Sequence, residues 1–415
     1  MIPRNRSGRS ESRTWNTSLR WLCADQMRGV LAGTAGTFVL SWMLYELTGS
    51  KAAMGGLWLL SLSGQWLVQW IVGPFIDRWK RITVMKVSEM VRGTAYLFVF
   101  LMWITGNKAA YVLMLGSFLS SVQIYDAAAG ALLPKLAPAD RLVRVNAAIS
   151  GSVQLIRVLA LPAAGLLTSV LAPEILLLML SLLFCGVWIT SAFIQEAPQA
   201  SLEKRSWKAS FHNGIQVYQA NPVLYGLALL VSVTSFGVFA TQSMYIPYVS
   251  DVLDGGPIDF GLFSASFPLG YVLGSIIIGR LREPGPYLYV VMSGALFAGG
   301  VTYLLLGAVT QLTAALLIEM AAGMMMPFWN VYSSTLYYRI VPETVLGQVL
   351  SVRSLLTKAM TPLGVMYGTY CASAYGLPQL FQSVGILICI ISGVGMLVAG
   401  RSAARRQDDA GAAEE

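Results

Sequence analysis

Charged side chains stand inside long apolar stretches of this 415-residue sequence. An ionisable residue within a membrane-spanning helix costs about 2.5–3.5 kcal/mol on insertion scales, so each is a functional candidate by default. Such residues can carry protons, contact a polar solute or lock two helices together. The candidates are Asp25, Arg28, Glu89, Arg92, Asp126, Arg157, Glu319, Arg353 and Lys358.

One of these residues suits proton transfer. A carboxyl can take up and release a proton when its cationic partner comes and goes, because burial favours its neutral form and a cation its charged form. Glu319 is the acidic residue of the second half that lies well inside an apolar stretch, and Arg353 and Lys358 lie on the next stretch. We predict that Glu319 and Lys358 form the proton-coupling pair, with Asp126 as a further proton-coupling candidate.

Two acid–base pairs lie near the ends of their stretches, Asp25 with Arg28 and Glu89 with Arg92. Residues three apart share one face of a helix. Together with Asp126 they form a predicted cytoplasmic charge network. The favoured interpretation is structural, an ion pair that locks the helix ends, and a direct role in transport is the alternative.

Other side chains are candidates for the wall of a substrate cavity. An amide facing lipid is costly, so each needs a partner or a water-filled space. For any aromatic residue alone, packing against other helices or lipid is the competing interpretation. The predicted cavity residues are Gln123, Gln154, Arg157, Phe236, Gln242, Trp329, Asn330 and Arg353.

Composition defines the elements that must position these residues. The chain is 56% hydrophobic and 12% charged, whereas soluble domains carry roughly 25% charged residues. The apolar runs are continuous rather than alternating, which indicates spanning helices and not a barrel. We predict an all-α membrane protein with twelve transmembrane helices near 20–46, 53–76, 82–106, 109–133, 142–170, 173–195, 222–250, 258–281, 286–308, 311–339, 344–374 and 377–400.

The basic residues predict orientation. Most Lys and Arg fall in the tails and in the loops of one side, while the opposite loops hold Lys51 and Lys108. By the positive-inside rule both termini are cytoplasmic, and the protein is expected in the plasma membrane. The net charge of +8 then suits anionic lipid rather than nucleic acid.

The sequence also lacks the motifs that would indicate nucleotide hydrolysis or metal binding. It has no G-x-x-x-x-G-K-[ST] motif, so the chain alone is not a primary pump. Its four cysteines form no spaced pair, and we expect free thiols and no metal site. We predict no enzymatic activity, no cofactor and no obligate protein partner.

An internal repeat divides the chain. The segment 46–57 aligns with 251–262, and the loop at 137–142 aligns with 341–346. Paired six-helix halves are a common transporter architecture. The predicted domains are a basic tail 1–19, a first half 20–195, a cytoplasmic linker 196–221, a second half 222–400 and a tail 401–415. Gly29/Gly33, Gly270/Gly274 and Gly364/Gly368 are predicted sites of close helix packing.

A short charged loop between two apolar runs resembles the signature of the major facilitator superfamily, G-x-x-x-D-R-x-G-R. Gly73, Asp77, Arg78 and Arg81 match it, and Lys80 stands where the pattern has glycine. The resemblance implies two pseudo-symmetric six-helix halves, with this loop acting as a gate that helps to hold the cytoplasmic side shut.

Further segments are similar to one branch, the drug–proton antiporters that include macrolide exporters and the enterobactin exporter. These segments lie at 45–50, 88–93, 125–138 and 142–147. In that branch helix 1 often carries an acidic residue where this chain has Gly33, and Asp25 lies lower in the helix.

The resemblance implies a secondary active transporter that works by alternating access, with proton-coupled efflux of amphipathic small molecules such as macrolide-like drugs or a natural product. Its expected partners are the small-molecule substrate, protons and membrane lipid. The alternatives are a dedicated exporter of one metabolite such as a siderophore, an uptake permease for a polar or anionic solute, and a non-transporting membrane receptor.

The orientation can be tested with cysteines introduced at Ser206 and Ser402 in a background without the native four. Both should resist membrane-impermeant thiol reagents in intact cells, because both positions lie on the basic, cytoplasmic side. A cysteine introduced at Asn107, in a predicted outer loop, serves as the positive control. Ready labelling of the first two positions would overturn the topology.

Overall fold

The computed structural model describes residues 7–72, 80–122, 124–136, 142–194, 215–218, 221–281 and 284–414. The chain divides into two compact units, Met1–Ser201 with Gly256–Gly261, and Leu202–Gly255 with Leu262–Glu415. Of the predicted gating signature, Gly73, Asp77 and Arg78 lie outside the described residues, as do Gln123 and most of the linker. Arg81 is described and begins a helix.

Seven α-helices make up most of the described part of the first unit. They are α1 (Ser7–Thr48), α2 (Lys51–Val72), α3 (Arg81–Ile104), α4 (Ala110–Ser120), α5 (Tyr125–Leu136), α6 (Leu142–Val170) and α7 (Pro173–Thr190). A 3-10 turn, Ser191–Phe193, continues α7. Helix α1 packs on α6 and α7, and α3 packs on α7 and α4.

The described part of the second unit also contains seven long or short α-helices, besides a helical turn at 215–218 and a 3-10 turn, Gly285–Tyr287. Its helices are α8 (Pro222–Gln242), α9 (Tyr245–Asp251), α10 (Pro257–Ile278), α11 (Leu288–Leu306), α12 (Leu312–Ile340), α13 (Glu343–Ala374) and α14 (Leu377–Glu414). Helix α11 packs on α14 and α12, while α13 packs on α8.

Local sequence sets where these helices begin and end. Helix α8 begins with Pro222, and the Asn221 side chain accepts hydrogen bonds from the backbone N–H groups of Val223 (3.0 Å) and Leu224 (3.4 Å). A side-chain oxygen at this position satisfies backbone donors that a helix leaves open. Gly106 and Gly376 follow α3 and α13 with φ of 85° and 105°, a left-handed conformation that suits glycine.

The all-α membrane fold is confirmed. Nine helices of the described part of the chain are long and apolar enough to span a membrane. The observed bounds agree closely with several predicted ones, such as 142–170 with α6.

Two of the predicted helices are interrupted. The fourth breaks between α4 and α5, and the seventh breaks between α8 and α9. At both breaks serine hydroxyls donate back to carbonyls: Ser121 to Phe118 O (2.6 Å) and Ser243 to Ala240 O (3.1 Å). Such bonds compete with regular helix geometry, an effect that apolar periodicity does not reveal.

The predicted glycine contacts are confirmed within the second unit. A Cβ on Gly364 or Gly368 would collide with the backbone of α8 at Phe236 or Ala240, and one on Gly270 or Gly274 would collide with the backbone of α12. Small residues let helix backbones approach closely in a membrane, where van der Waals packing drives association. The glycines therefore set the helix spacing of this unit.

We predict that Gly368→Ala lowers the stability of the protein by about 1–3 kcal/mol, because the new methyl group must push α13 away from α8. Gly299→Ala is the matched control, since nothing lies within 4 Å of a Cβ at that helical glycine. The measurement is the midpoint of thermal unfolding of the purified protein. Equal midpoints for the two variants would contradict this account.

Candidate functional site

A half-open cavity of about 170 Å³ lies in the first unit. Its wall is formed by α1, α3, α6 and the start of α5. Charged side chains, uncharged polar side chains and small residues line it. The polar side chains that line it include Gln26, Thr34, Thr37, Glu89, Arg92 and Arg157.

An ion pair within α3 forms one side of this cavity. Arg92 Nη1 donates to Glu89 Oε1 at 3.2 Å, and their side chains are 7% and 0% exposed. The Arg92 guanidinium also lies over the Phe184 ring of α7, 4.3 Å from its centroid. Pairing and cation–π contact together offset the cost of burying this charge.

Gly33 makes room for the guanidinium. A Cβ at this position of α1 would occupy the space of Arg92 Nη2, and a Cβ at Gly36 would occupy that of the Tyr96 hydroxyl. The cation of α3 reaches into the space at Gly33, and its carboxylate partner is Glu89 on the same helix.

A second cluster surrounds Asp25, which is fully buried on α1. Thr190 and Ser191, at the end of α7, both donate to its carboxylate, the serine at 3.1 Å. Arg28 lies 3.5 Å from Asp25 Oδ1 and donates to Thr190 Oγ1 at 3.0 Å. The cluster thus ties α1 to the end of α7 through an acid, a cation and two hydroxyls.

Among the described side chains, the predicted charge network contains two ion pairs, each within its own helix. Sequence spacing found both pairs but missed Thr190 and Ser191, since no local pattern links them to a residue 165 positions earlier. Asp126 lies on α5. Arg157 lines the same cavity as Glu89 and Arg92, and Gln154 is exposed one turn before it on α6.

In the second unit a buried carboxyl lies among aromatic rings. Glu319 is 2% exposed and accepts a hydrogen bond of 2.9 Å from the Tyr245 hydroxyl. The Tyr245 ring contacts Phe263 (centroids 5.0 Å) and stacks on Phe381 (6.2 Å). Tyr245 is the first residue of α9, so the break after α8 places its hydroxyl at Glu319.

The predicted pairing of Glu319 with Lys358 stays a prediction. The recorded hydrogen bond to Glu319 comes from a phenol, and Lys358 is an exposed residue of α13.

The remaining predicted cavity residues of the second unit have distinct surroundings. Arg353 donates to Ser333 Oγ at 3.3 Å and lies 5.0 Å from the Tyr337 ring centroid. Trp329 is 2% exposed and belongs to the apolar core, so it packs rather than lines an open surface. Gln242 is exposed. Phe236 packs on Tyr367, and Asn330 donates to Tyr271 Oη at 3.4 Å.

Comparison with known proteins identifies the family. The profile of the Major Facilitator Superfamily matches residues 29–365. The uncharacterized MFS-type transporter YvqJ of Bacillus subtilis (strain 168) is 22% identical over 382 residues, covering 89% of this chain and 89% of YvqJ.

Two solved structures share the fold. A bacterial homologue of the iron transporter ferroportin aligns with a TM-score of 0.69 and 16% identity, over 92% of this chain and 98% of the homologue. The nucleoside transporter NupG aligns with a TM-score of 0.70 and 12% identity, over 93% of this chain and 99% of NupG. At such identities the likeness shows the fold alone.

We predict that Glu89→Gln destabilises the protein by about 3–5 kcal/mol, because Arg92 is left buried without its carboxylate. Glu174→Gln is the control, since the Glu174–Lys108 pair is 4.0 Å long and partly exposed, and such pairs contribute about 1 kcal/mol or less. Thermal unfolding midpoints measure both changes. Similar losses for the two variants would refute a special role for the buried pair.

Proposed function

We propose that this chain, which belongs to the major facilitator superfamily and is a secondary transporter, couples the export of amphipathic small molecules to proton entry by alternating access. The observation that carries the proposal is the Glu319 carboxyl, buried among aromatic rings with a tyrosine hydroxyl as its partner.

The surroundings of Glu319 suit reversible protonation. An isolated carboxylate is costly to remove from water, and binding a proton abolishes that cost. The Tyr245 hydroxyl donates to a carboxyl oxygen whether or not the other oxygen carries a proton, since a protonated carboxyl keeps acceptor capacity. The site therefore changes its charge without having to exchange its partner.

Direction and substrate come from the resemblance. The segments shared with the drug–proton antiporter branch favour export of macrolide-like drugs or a natural product, from the cytoplasm across the plasma membrane, with both termini cytoplasmic. In this proposal Asp77 and Arg81 belong to the cytoplasmic gate. Two six-helix halves, 20–195 and 222–400, would rock about the substrate, as in other transporters built from repeats.

One observation favours a second candidate, an uptake permease for a polar or anionic solute. The cavity of the first unit carries two arginines, Arg92 and Arg157, and one carboxylate. Export of a single metabolite such as a siderophore is compatible with the same cavity. The relatives do not choose between these, since the names of similar structures refer to iron and to nucleosides, and one fold hosts many substrates.

The test of proton coupling is Glu319→Gln, which keeps the shape of the side chain and removes its titration. In inverted vesicles with an acidic lumen, the native protein should accumulate radiolabelled fusidate, an amphipathic natural product with one carboxylate, and the variant should lose this gradient-driven uptake. Exchange of the drug without a gradient should persist, because the amide still accepts the Tyr245 hydrogen bond.

Glu174→Gln provides the matched control, since Glu174 is a partly exposed acid of the first unit. Full accumulation by Glu319→Gln would remove this residue from proton coupling and return the role to Asp126. Uptake by the native protein only in the opposite direction would favour the permease.

A further inference from the structure

We propose that the cavity of the first unit binds the carboxylate of an amphipathic acid, so that the transported molecule carries an anionic head group. The proposal rests on the transport function above and adds to it the charge class of the substrate. Neither the family nor the relatives assign a ligand to this cavity.

The balance of charge in the wall supports an anion. Among the described side chains, three charged ones line the cavity, and Glu89 Oε1 already accepts from Arg92 Nη1 at 3.2 Å. The two charges of this pair cancel, so the described part of the wall keeps one excess positive charge, that of Arg157. The other polar groups of the wall, Gln26 and Thr34 among them, are neutral. One negative charge on the solute matches one excess positive charge on the protein.

Arg92 is positioned in advance of binding. Its guanidinium is fixed by Glu89 on one side and by the Phe184 ring on another, and Gly33 leaves the space that it fills. Its buried Nε has no hydrogen-bond partner among the described residues. A guanidinium presents five donors in a planar fork that matches a carboxylate, so an anchored arginine retains donors for a second anion.

Arg157 supplies the adjustable cation. Its side chain is exposed on α6 and lines the cavity, so it can move toward a solute. A cationic solute would be repelled by this charge, and Glu89 Oε1 already accepts a hydrogen bond from Arg92. The size of the cavity, about 170 Å³, suits a head group and leaves the apolar body of the molecule outside it.

The experiment compares three probes that share one apolar body: 4-phenylbutyrate, 4-phenyl-1-butanol and 4-phenylbutylamine. Each is titrated against the purified full chain without a proton gradient, and thermal stabilisation reports binding. The acid should bind about tenfold more tightly than the alcohol or the amine, as expected for a charge-assisted hydrogen bond.

Two variants separate charge from structure. Arg157→Gln should abolish the preference for the acid, and Arg157→Lys should retain part of it, because the charge remains. Arg280→Gln removes an arginine that is exposed just beyond α10 and should leave the preference unchanged. Equal binding of acid and alcohol by the native protein, or an unchanged preference in Arg157→Gln, would overturn the proposal.

The result is independent of the proton-coupling test. Glu319→Gln should keep the preference for the acid, since binding is measured without a gradient and Glu319 lies in the other unit. Loss of coupled flux in Glu319→Gln without any acid preference in the native protein would refute the head-group site and keep the coupling. A preference for the acid in the native protein, together with full gradient-driven uptake by Glu319→Gln, would keep the head-group site and refute the coupling role of Glu319.

Discussion

The ion pair between Glu89 and Arg92 is the contact on which the first unit depends. Charge inside a membrane protein has to be compensated where it stands. Here one carboxylate, one aromatic face and one glycine on three helices, α3, α7 and α1, accommodate a single guanidinium. The close approach of these helices and the polar cavity beside them are therefore two consequences of one buried cation.

The two units handle buried charge differently. The first neutralises its acids within α1 and α3, by Arg28 and Arg92, and adds the hydroxyls of Thr190 and Ser191. The second leaves the carboxyl of Glu319 with a phenol and surrounds it with rings. The carboxylates of Asp25 and Glu89 contact cations, whereas Glu319 contacts a neutral phenol, beside which a carboxyl can change its protonation state and keep its partner. This difference favours structural roles for Asp25 and Glu89 and supports the proton coupling that we propose for Glu319.

Helix breaks are as important to the second unit as its charges. The interruption after Gln242 places Tyr245 at the start of α9, where its ring packs on Phe263 and Phe381 and its hydroxyl reaches Glu319. A continuous helix would turn this residue to another face, since successive residues are about 100° apart. The proton site that we propose thus depends on a local departure from regular geometry.

The sequence by itself determined the membrane class, the helices, the i,i+3 acid–base pairs and the glycine contacts, because hydropathy, helical spacing and residue size are local properties. Its loop signature led to the superfamily that the comparison confirmed. Only the tertiary structure decided that Glu319 bonds to Tyr245, that Thr190 and Ser191 bind Asp25, and that Arg92 fills the space at Gly33. These partners lie on different helices, and their pairing depends on relative depth and rotation, which no spacing along the chain encodes.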